Sequence, residues 1–290
     1  MKRVAIIANW QKENIEAIIK EITTFLKEKG ISFCFDEESA SRLGVSGCLP
    51  PPAWKGNVDI ALVLGGDGTM LKVARDLAGT DIPIMGINLG DMGFLTAVEA
   101  KDLKKGLAKI IDGDYDIFQR MMLSASVFRK GVKQAQYEVL NDVVISKGPF
   151  SRIIALKTYI NNEFLERYPG DGVIIATPTG STGYSLSAGG PIVNPSLNVI
   201  IITPICPHLL HHRSVIVHER DEIKMQVCTH HPEVVLTIDG QLAFNLQHED
   251  EVIVKTSKNK TMMVNFKETS FYKLLHHKLK KSDYDVEEKA

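Results

Sequence analysis

At 290 residues, 44% of them hydrophobic and 24% charged, the chain is long enough for one or two buried cores and ordinary for a globular protein. A formal net charge of −1 supplies no global basic field, which argues against a dedicated nucleic-acid binder while leaving room for small phosphate-bearing ligands. Cys34, Cys48, Cys206 and Cys228 are scattered without a CxxC pair, which excludes a disulfide framework or structural zinc site and reads as reduced thiols. No apolar run reaches membrane-spanning length, and Met1-Lys2-Arg3 leads into a strand rather than a cleavable leader, so the expected location is the cytoplasm.

In chain order, residues 4–8 read as a buried strand. Residues 13–29 read as a helix, because Ile15, Ile18, Ile19, Ile22, Phe25 and Leu26 recur on one face. Gly30 stops that helix and residues 31–35 begin a second strand. Residues 44–56, with Pro50-Pro51-Pro52, form a loop by composition. A third strand over 59–64 runs into Gly65-Gly66-Asp67-Gly68-Thr69 and then into helix-like residues 70–75. Residues 83–88 supply another short strand and 102–111 another amphipathic helix. Such alternation predicts a mostly parallel sheet with ligands at the carboxyl ends of its strands.

From about Arg120 the rhythm changes to strands over 123–128, 138–146, 153–160, 172–176, 199–203, 222–227, 234–238 and 251–256. The expected fold class is therefore α/β plus all-β. A Rossmann-like parallel-sheet domain takes residues 1–119, and a β-sandwich-like domain takes 120–264. Residues 265–290 rejoin the first domain, with an amphipathic helix over 270–279 that covers it and a frayed, charged end over 280–290.

Two glycine-rich segments carry chemistry. Strand, glycine turn and helix in that order let backbone N–H groups close on phosphate at a helix N-terminus. Asp67 does not suit anion binding, because a carboxylate repels phosphate. It suits removal of a hydroxyl proton or the holding of a metal, and its plainer role is to cap the following helix. The second segment, 168–191, is rich in small residues that admit a ligand to the backbone. There Thr179, Ser181, Thr182, Ser185 and Ser187 offer hydroxyls, and Tyr184 offers a ring for a base or sugar. With one segment on each expected domain, the ligand is expected between the two.

Taken together, Gly65 to Thr69, Asn141-Asp142, Gly170-Asp171-Gly172, the block 177–191, Thr203-Pro204-Ile205-Cys206-Pro207-His208 with Arg213, and Asp239-Gly240-Gln241 resemble the bacterial-type NAD kinase family. The likeness runs in order along most of the chain. The glycine–aspartate turn alone is shared with diacylglycerol and sphingosine kinases and phosphofructokinase, whereas Thr-Pro-Thr-Gly-Ser-Thr is much more specific. The resemblance implies an enzyme that transfers a phosphoryl group from ATP, or from polyphosphate, to the 2′-hydroxyl of the adenosine ribose of NAD. A divalent ion, Mg²⁺ first, would neutralise the donor phosphates.

The resemblance also implies roles for single residues. Asp67 is the proton acceptor, flanked by Gly65, Gly66, Gly68 and Thr69. Lys72 reads as a solvated helix residue that can still offer a cation to phosphate. Asn141 and Asp142 clamp the acceptor's adenosine, the aspartate reaching one methylene less than a glutamate would. Arg152 pairs with pyrophosphate, or else with a surface carboxylate; Asp171 meets the far nucleoside. Thr179, Thr182, Gly183, Tyr184, Ser185, Leu186 and Ser187 contact adenine and ribose, and Gln241 adds a polar contact. Gly183 stands where many relatives carry alanine. His208, His211, His212, His230 and His231 read as surface or loop residues, and no residue is assigned to a resident metal. The family's habit implies a homodimer or homotetramer, and neither nucleic acid nor membrane is an expected partner. The alternatives are a lipid kinase of the diacylglycerol or sphingosine type and a non-catalytic NAD(P)-binding sensor. The polar Thr-Ser-Tyr block speaks against the first and Asp67 against the second.

Overall fold

The computed structural model describes residues 3–45, 50–90, 92–148, 152–208, 213–229, 233–266 and 270–287. The chain divides into two compact units, Met1–Gln119 with Met262–Ala290, and Arg120–Thr261.

The first unit runs β1 (Arg3–Ala8), α1 (Ile15–Glu28), β2 (Ser32–Phe35), α2 (Glu37–Leu43), β3 (Ile60–Leu64), α3 (Asp67–Asp76), β4 (Ile84–Asn88), β5 (Val98–Glu99) and α4 (Leu103–Asp112). The strands form a parallel sheet in the order β2–β1–β3–β4–β5. Every residue of β3 and β4 is buried, as strands covered on both faces by helices must be. α1 buries Ile15, Ile19, Ile22 and Leu26, one helical stripe, against that sheet. α2 lies outside the expected elements. Seven residues are too few to show a period, but Asp36 caps it by accepting the Ser39 N–H at 3.3 Å.

The second unit carries β6 (Asp116–Arg129), β7 (Val132–Val139), β8 (Asp142–Lys147), β9 (Ile154–Ile160), β10 (Glu163–Gly170), β11 (Gly172–Ala176), α5 (Tyr184–Ser187), β12 (Val199–Ile205), β13 (Val215–His218), β14 (Ile223–Val227), β15 (Val234–Ile238), β16 (Leu242–Leu246) and β17 (Glu251–Asn265), the last running on past Thr261 into the first unit. One sheet is ordered β10–β9–β14–β17–β6–β7 and the other β13–β12–β11–β8–β15–β16. Leu123, Val127, Leu156, Met225 and Val252 of the first sheet share a core with Val143, Ile145, Val173, Ile200 and Leu236 of the second. This is a two-sheet sandwich. The outer face of β8, β11 and β12 is also buried, through Val144, Ile174 and Ile201 packed with Val193. α6 (Phe271–Glu287) belongs to the first unit, where the Phe271 ring lies 6.5 Å from that of Phe94.

Two expectations need correction. The single strand expected over 138–146 is two strands, β7 and β8, parted at Leu140-Asn141. The charged end does not fray from residue 280. α6 continues to Glu287, extending a helix already nucleated, although Ser282, Asp283, Tyr284, Asp285 and Val286 are weaker helix formers. Residues 288–290 lie outside the described residues.

Asp250, at the start of β17, has no solvent exposure and accepts Arg129 Nε at 2.9 Å, Arg129 Nη2 at 2.7 Å and the Gln247 N–H at 2.8 Å. Arg129→Met leaves that carboxylate buried and without its cation. The variant should lose about 3 kcal/mol, read as a drop of several degrees in Tm. An unchanged Tm would show that the pair holds nothing together.

Candidate functional site

β3 delivers the chain to Gly65-Gly66, and α3 starts at Asp67 with Gly66 as its extended N-cap (φ −93°, ψ −168°). A glycine at that position brings no capping side chain. The first turn of α3 therefore turns backbone N–H groups and the positive end of its dipole toward an outside acceptor, the arrangement that holds phosphate. Gly65 lies against the side chain of Thr69, whose Oγ1 accepts from Asn9 Nδ2 at 3.3 Å. Lys72 is exposed on α3, and its charge acts on Asp36 and Asp76.

Asp67 does not cap its own helix. Its Oδ2 accepts the Phe94 N–H at 2.8 Å and its Oδ1 the Leu95 N–H at 3.0 Å. Both donors come from the turn after β4. An ionised carboxylate has about four acceptor positions, so each oxygen is held by one bond and keeps capacity for another proton donor. The approach requires Gly93, where a Cβ would stand 1.9 Å from Asp67 Oδ1. Thr96 Oγ1 accepts the Gly93 N–H at 3.0 Å and fixes the same turn. Sequence reasoning does not single out Gly93, Phe94 or Leu95. The signal available was a second glycine-bearing turn directly after a buried parallel strand.

In the second unit, Asn141 and Asp142 are held from two sides. Asp239 accepts the N–H groups of Leu140 (3.3 Å), Asn141 (2.7 Å) and Asp142 (3.2 Å). On the other side the Asn141 carbonyl accepts the Thr177 N–H at 2.9 Å, and Thr177 Oγ1 donates to the Leu140 carbonyl at 2.6 Å. Gly180 lies so near that a Cβ there would meet the Asn141 carbonyl oxygen at 2.2 Å. With its backbone fixed, Asn141 keeps its side-chain Oδ1 buried and without a hydrogen-bond partner among the described residues. Such an atom is costly unless a ligand supplies a donor. Asp142 is 5% exposed, and burial first, then the charge of Asp239, push its carboxyl up to about 7. A Cβ at Gly183 would sit 3.5 Å from Asn141 Nδ2 and 4.0 Å from Asp142 Oδ2. That is ordinary contact, so the alanine of relatives would fit.

The hydroxyl-rich block divides into builders and presenters. Ser181 Oγ donates to the Pro178 carbonyl at 2.7 Å and accepts the Val193 N–H at 3.0 Å. Ser185 Oγ is bonded to Thr203 Oγ1 at 3.1 Å, which also accepts from Ser214 at 3.2 Å. Thr179, Ser181 and Ser185 are all buried, so they hold the segment in shape. Thr182 donates to the Thr179 carbonyl at 3.3 Å; Gly183 and Leu186 are half-buried, while Ser187 is exposed. Tyr184 is 47% exposed. Its phenol is pushed up by burial of its hydroxyl end and then by Cys206, Asp171 and Asp142, which keeps it a neutral donor. Asp171 pairs with Lys147 Nζ at 2.9 Å. Arg152 and Gln241 are exposed, the latter closing the Asp239-Gly240 turn through its N–H on the Ile238 carbonyl at 2.9 Å. His208 is exposed, and the expectations for His211, His212, His230 and His231 fall outside the described residues. Among the described residues no three His, Cys, Asp or Glu side chains group where they would hold a metal ion.

Both units of the chain match known proteins. The model of the ATP-NAD kinase N-terminal domain matches residues 51–115, and that of the ATP-NAD kinase C-terminal domain matches residues 140–266. An NAD kinase of Natranaerobius thermophilus is 46% identical over 280 residues, covering 96% of this chain and 98% of its own. One from Lachnoclostridium phytofermentans is 43% identical over 287 residues, covering 96% and 99%. Among solved structures, a yeast NADH kinase complexed with NADH superposes with a TM-score of 0.85 at 27% identity, covering 93% of this chain and 84% of its own.

The buried carboxylate of Asp142 has a consequence for stability. Its folded value of about 7 lies above the ordinary 3.8, so between those values the folded state holds a proton that the unfolded chain has lost. Stability therefore falls as pH rises through that window and stays low above it. Asp142→Asn should raise Tm more at pH 8 than at pH 5. An equal change at both would make Asp142 an ordinary surface-like carboxylate.

Proposed function

The chain belongs to the NAD kinase family and phosphorylates NAD, and we propose that ATP is the donor, the 2′-hydroxyl of the adenosine ribose the acceptor atom, and Asp67 the group that takes its proton. One observation carries the proton assignment. Asp67 is aimed by two backbone N–H groups while both oxygens keep acceptor capacity. A carboxylate is a weak base toward an alcohol, with an ordinary pKa of about 3.9. It suffices where the proton leaves late, as in a loose phosphoryl-transfer transition state, and most of the acceleration then comes from positioning and electrostatics.

The first turn of α3, with Gly65, Gly66, Gly68 and Thr69, is suited to the donor phosphates, and polyphosphate would use the same turn. Mg²⁺ enters as part of the substrate, bound to the donor phosphates, and supplies charge neutralisation there. Lys72, whose charge also acts on Asp36 and Asp76, adds a cation near this turn. On the acceptor side, the unsatisfied Asn141 Oδ1 suits an adenine amino group and Asn141 Nδ2 a ring nitrogen. Asp142 accepts from ribose hydroxyls, and the exposed Tyr184 ring packs on a base or sugar. Thr179 and Ser185 act by shaping the block that presents Thr182, Gly183, Leu186 and Ser187. Arg152 pairs with pyrophosphate, and Asp171 and Gln241 with the far nucleoside and a polar substituent. Free Cys34, Cys206 and Cys228 support a reducing, cytoplasmic setting. No helix among the described residues is long and apolar enough to cross a membrane. A homodimer or homotetramer through the β-rich unit is supported by Val132 and Phe164, exposed on its edge strands β7 and β10.

The test is formation of NADP from NAD, ATP and Mg²⁺, followed with an NADP-specific dehydrogenase. Asp67→Asn should lower turnover on the order of 10²–10⁴-fold while leaving the Kd for NAD within about threefold. Near-normal turnover in that variant would remove Asp67 from the chemistry. Gly93→Ala, which forces the carboxylate off its amides, should reproduce the defect in kcat.

A further inference from the structure

Asp239 lies behind the acceptor-binding pair rather than in it. It is 6% exposed and occupies the turn between β15 and β16, opposite the start of β8, where Ile238 pairs with Val143. Asp239 and Gly240 both take positive φ (50° and 64°), the pattern of an Asp-Gly hairpin turn. The turn places one carboxylate over three successive N–H groups, those of Leu140, Asn141 and Asp142, at 3.3, 2.7 and 3.2 Å. The Asp239 N–H returns a bond of 2.9 Å to the Asp142 carbonyl. These bonds account for the break between β7 and β8. At Leu140-Asn141 the backbone leaves the ladder because a carboxylate takes its donors, and the two side chains that follow are thereby aimed.

We propose that Asp239 is a positioning residue for NAD, fixing Asn141 and Asp142 through their backbone amides and making acceptor binding respond to pH through its own charge. The proposal rests on the reading that Asn141 and Asp142 contact the acceptor's adenosine. The physical basis of the second part is geometric. Two buried carboxylates, Asp142 at the start of β8 and Asp239 in the turn after the neighbouring β15, share one small region, and an ionised Asp239 opposes ionisation of Asp142. Tyr184 on α5 is the other titratable group that senses Asp142, and Asp171 and Cys206 act on Tyr184 in turn. Lys147, whose Nζ is bound to Asp171 at 2.9 Å, lies at the far end of β8 from Asp142. The charge that acts on Asp142 is therefore that of Asp239. An ionised Asp142 accepts from both ribose hydroxyls and a protonated one spends an oxygen on its own hydrogen. NAD binding should therefore tighten as pH rises through about 7.

Asp239→Asn keeps a residue that tolerates positive φ and still offers one oxygen to the amides, but removes the charge. The Asp142 carboxyl, followed by ¹³C NMR without NAD, should titrate lower in this variant. It should not return to the ordinary carboxylate range, because burial, the larger cause, remains. The pH midpoint of NAD binding should move down with it, and KM for NAD should change while KM for ATP does not. Unchanged Asp142 titration and unchanged KM for NAD would overturn the proposal. Asp239→Glu retains the charge and displaces it, so it should keep the high midpoint and raise KM for NAD about tenfold; a wild-type KM there would also overturn it. Asp142→Ala separates the two levels. If it leaves NAD affinity unchanged, the adenosine reading fails and this proposal with it. If it weakens NAD and the Asp239 variants change nothing, Asp239 alone is wrongly assigned.

Discussion

The absence of a side chain at Gly93 and Gly180 is the constraint on which both constellations depend. A Cβ at Gly93 would stand 1.9 Å from the Asp67 carboxylate, and one at Gly180 would stand 2.2 Å from the Asn141 carbonyl. At Gly93 a carboxylate, and at Gly180 a main-chain carbonyl, stands where a side chain would otherwise be. The gain is rigidity. A backbone N–H in a turn has little freedom left to lose, whereas a lysine or arginine donor must surrender rotamer entropy to hold one geometry. Asp67 is aimed by the amides of Phe94 and Leu95, and Asn141 is braced by the Thr177 amide on its carbonyl and by the Asp239 carboxylate on its own amide.

The same device has opposite electrostatic outcomes in the two units. Asp67 is only partly buried and sits at the positive end of α3, so its charge is compensated without a side-chain cation. Asp142 is nearly sealed from water and faces a second buried carboxylate, so its proton is hard to remove. On the proposed assignment, Asp67 as proton acceptor uses the first environment and Asp142 as a recognition group tolerates the second. Burial excludes water from competing for the hydrogen bonds that a nucleoside must make.

Legibility followed periodicity. Apolar runs marked β1, β3, β4 and β11, and the one-sided stripe marked α1, because burial against a core imposes a pattern. The polar edge strands β7 and β10 carried no such mark, since strand pairing through the backbone leaves exposed side chains free to vary, and the apolar edge strands β13 and β16 are only four and five residues long. At the site, the glycines and the aspartate were visible as a motif. What the residues do locally was not. Ser181 and Ser185, which read as ligand hydroxyls, are consumed by Pro178, Val193 and Thr203. Asp239, visible in the motif, acts through bonds to residues about a hundred positions away in sequence. Gly93 matters through a contact with Asp67 that no local pattern encodes.

A glycine–aspartate turn before a helix handles phosphate in any chain that folds it, so the turn says nothing about what is phosphorylated. Selectivity must come from groups that are expensive to leave unmet. Asn141 Oδ1 is such a group, because it is buried, braced from behind and without a donor among the described residues. A site of that kind rejects a ligand lacking the matching donor far more strongly than an apolar pocket rejects a ligand of the wrong size. On the proposed assignment, discrimination for adenosine is therefore stored in the unliganded protein as an unsatisfied hydrogen bond. The buried hydroxyls of the 177–187 block serve the same end. Satisfied among themselves, they keep the wall rigid, so that the one unsatisfied atom cannot relax to find a partner of its own.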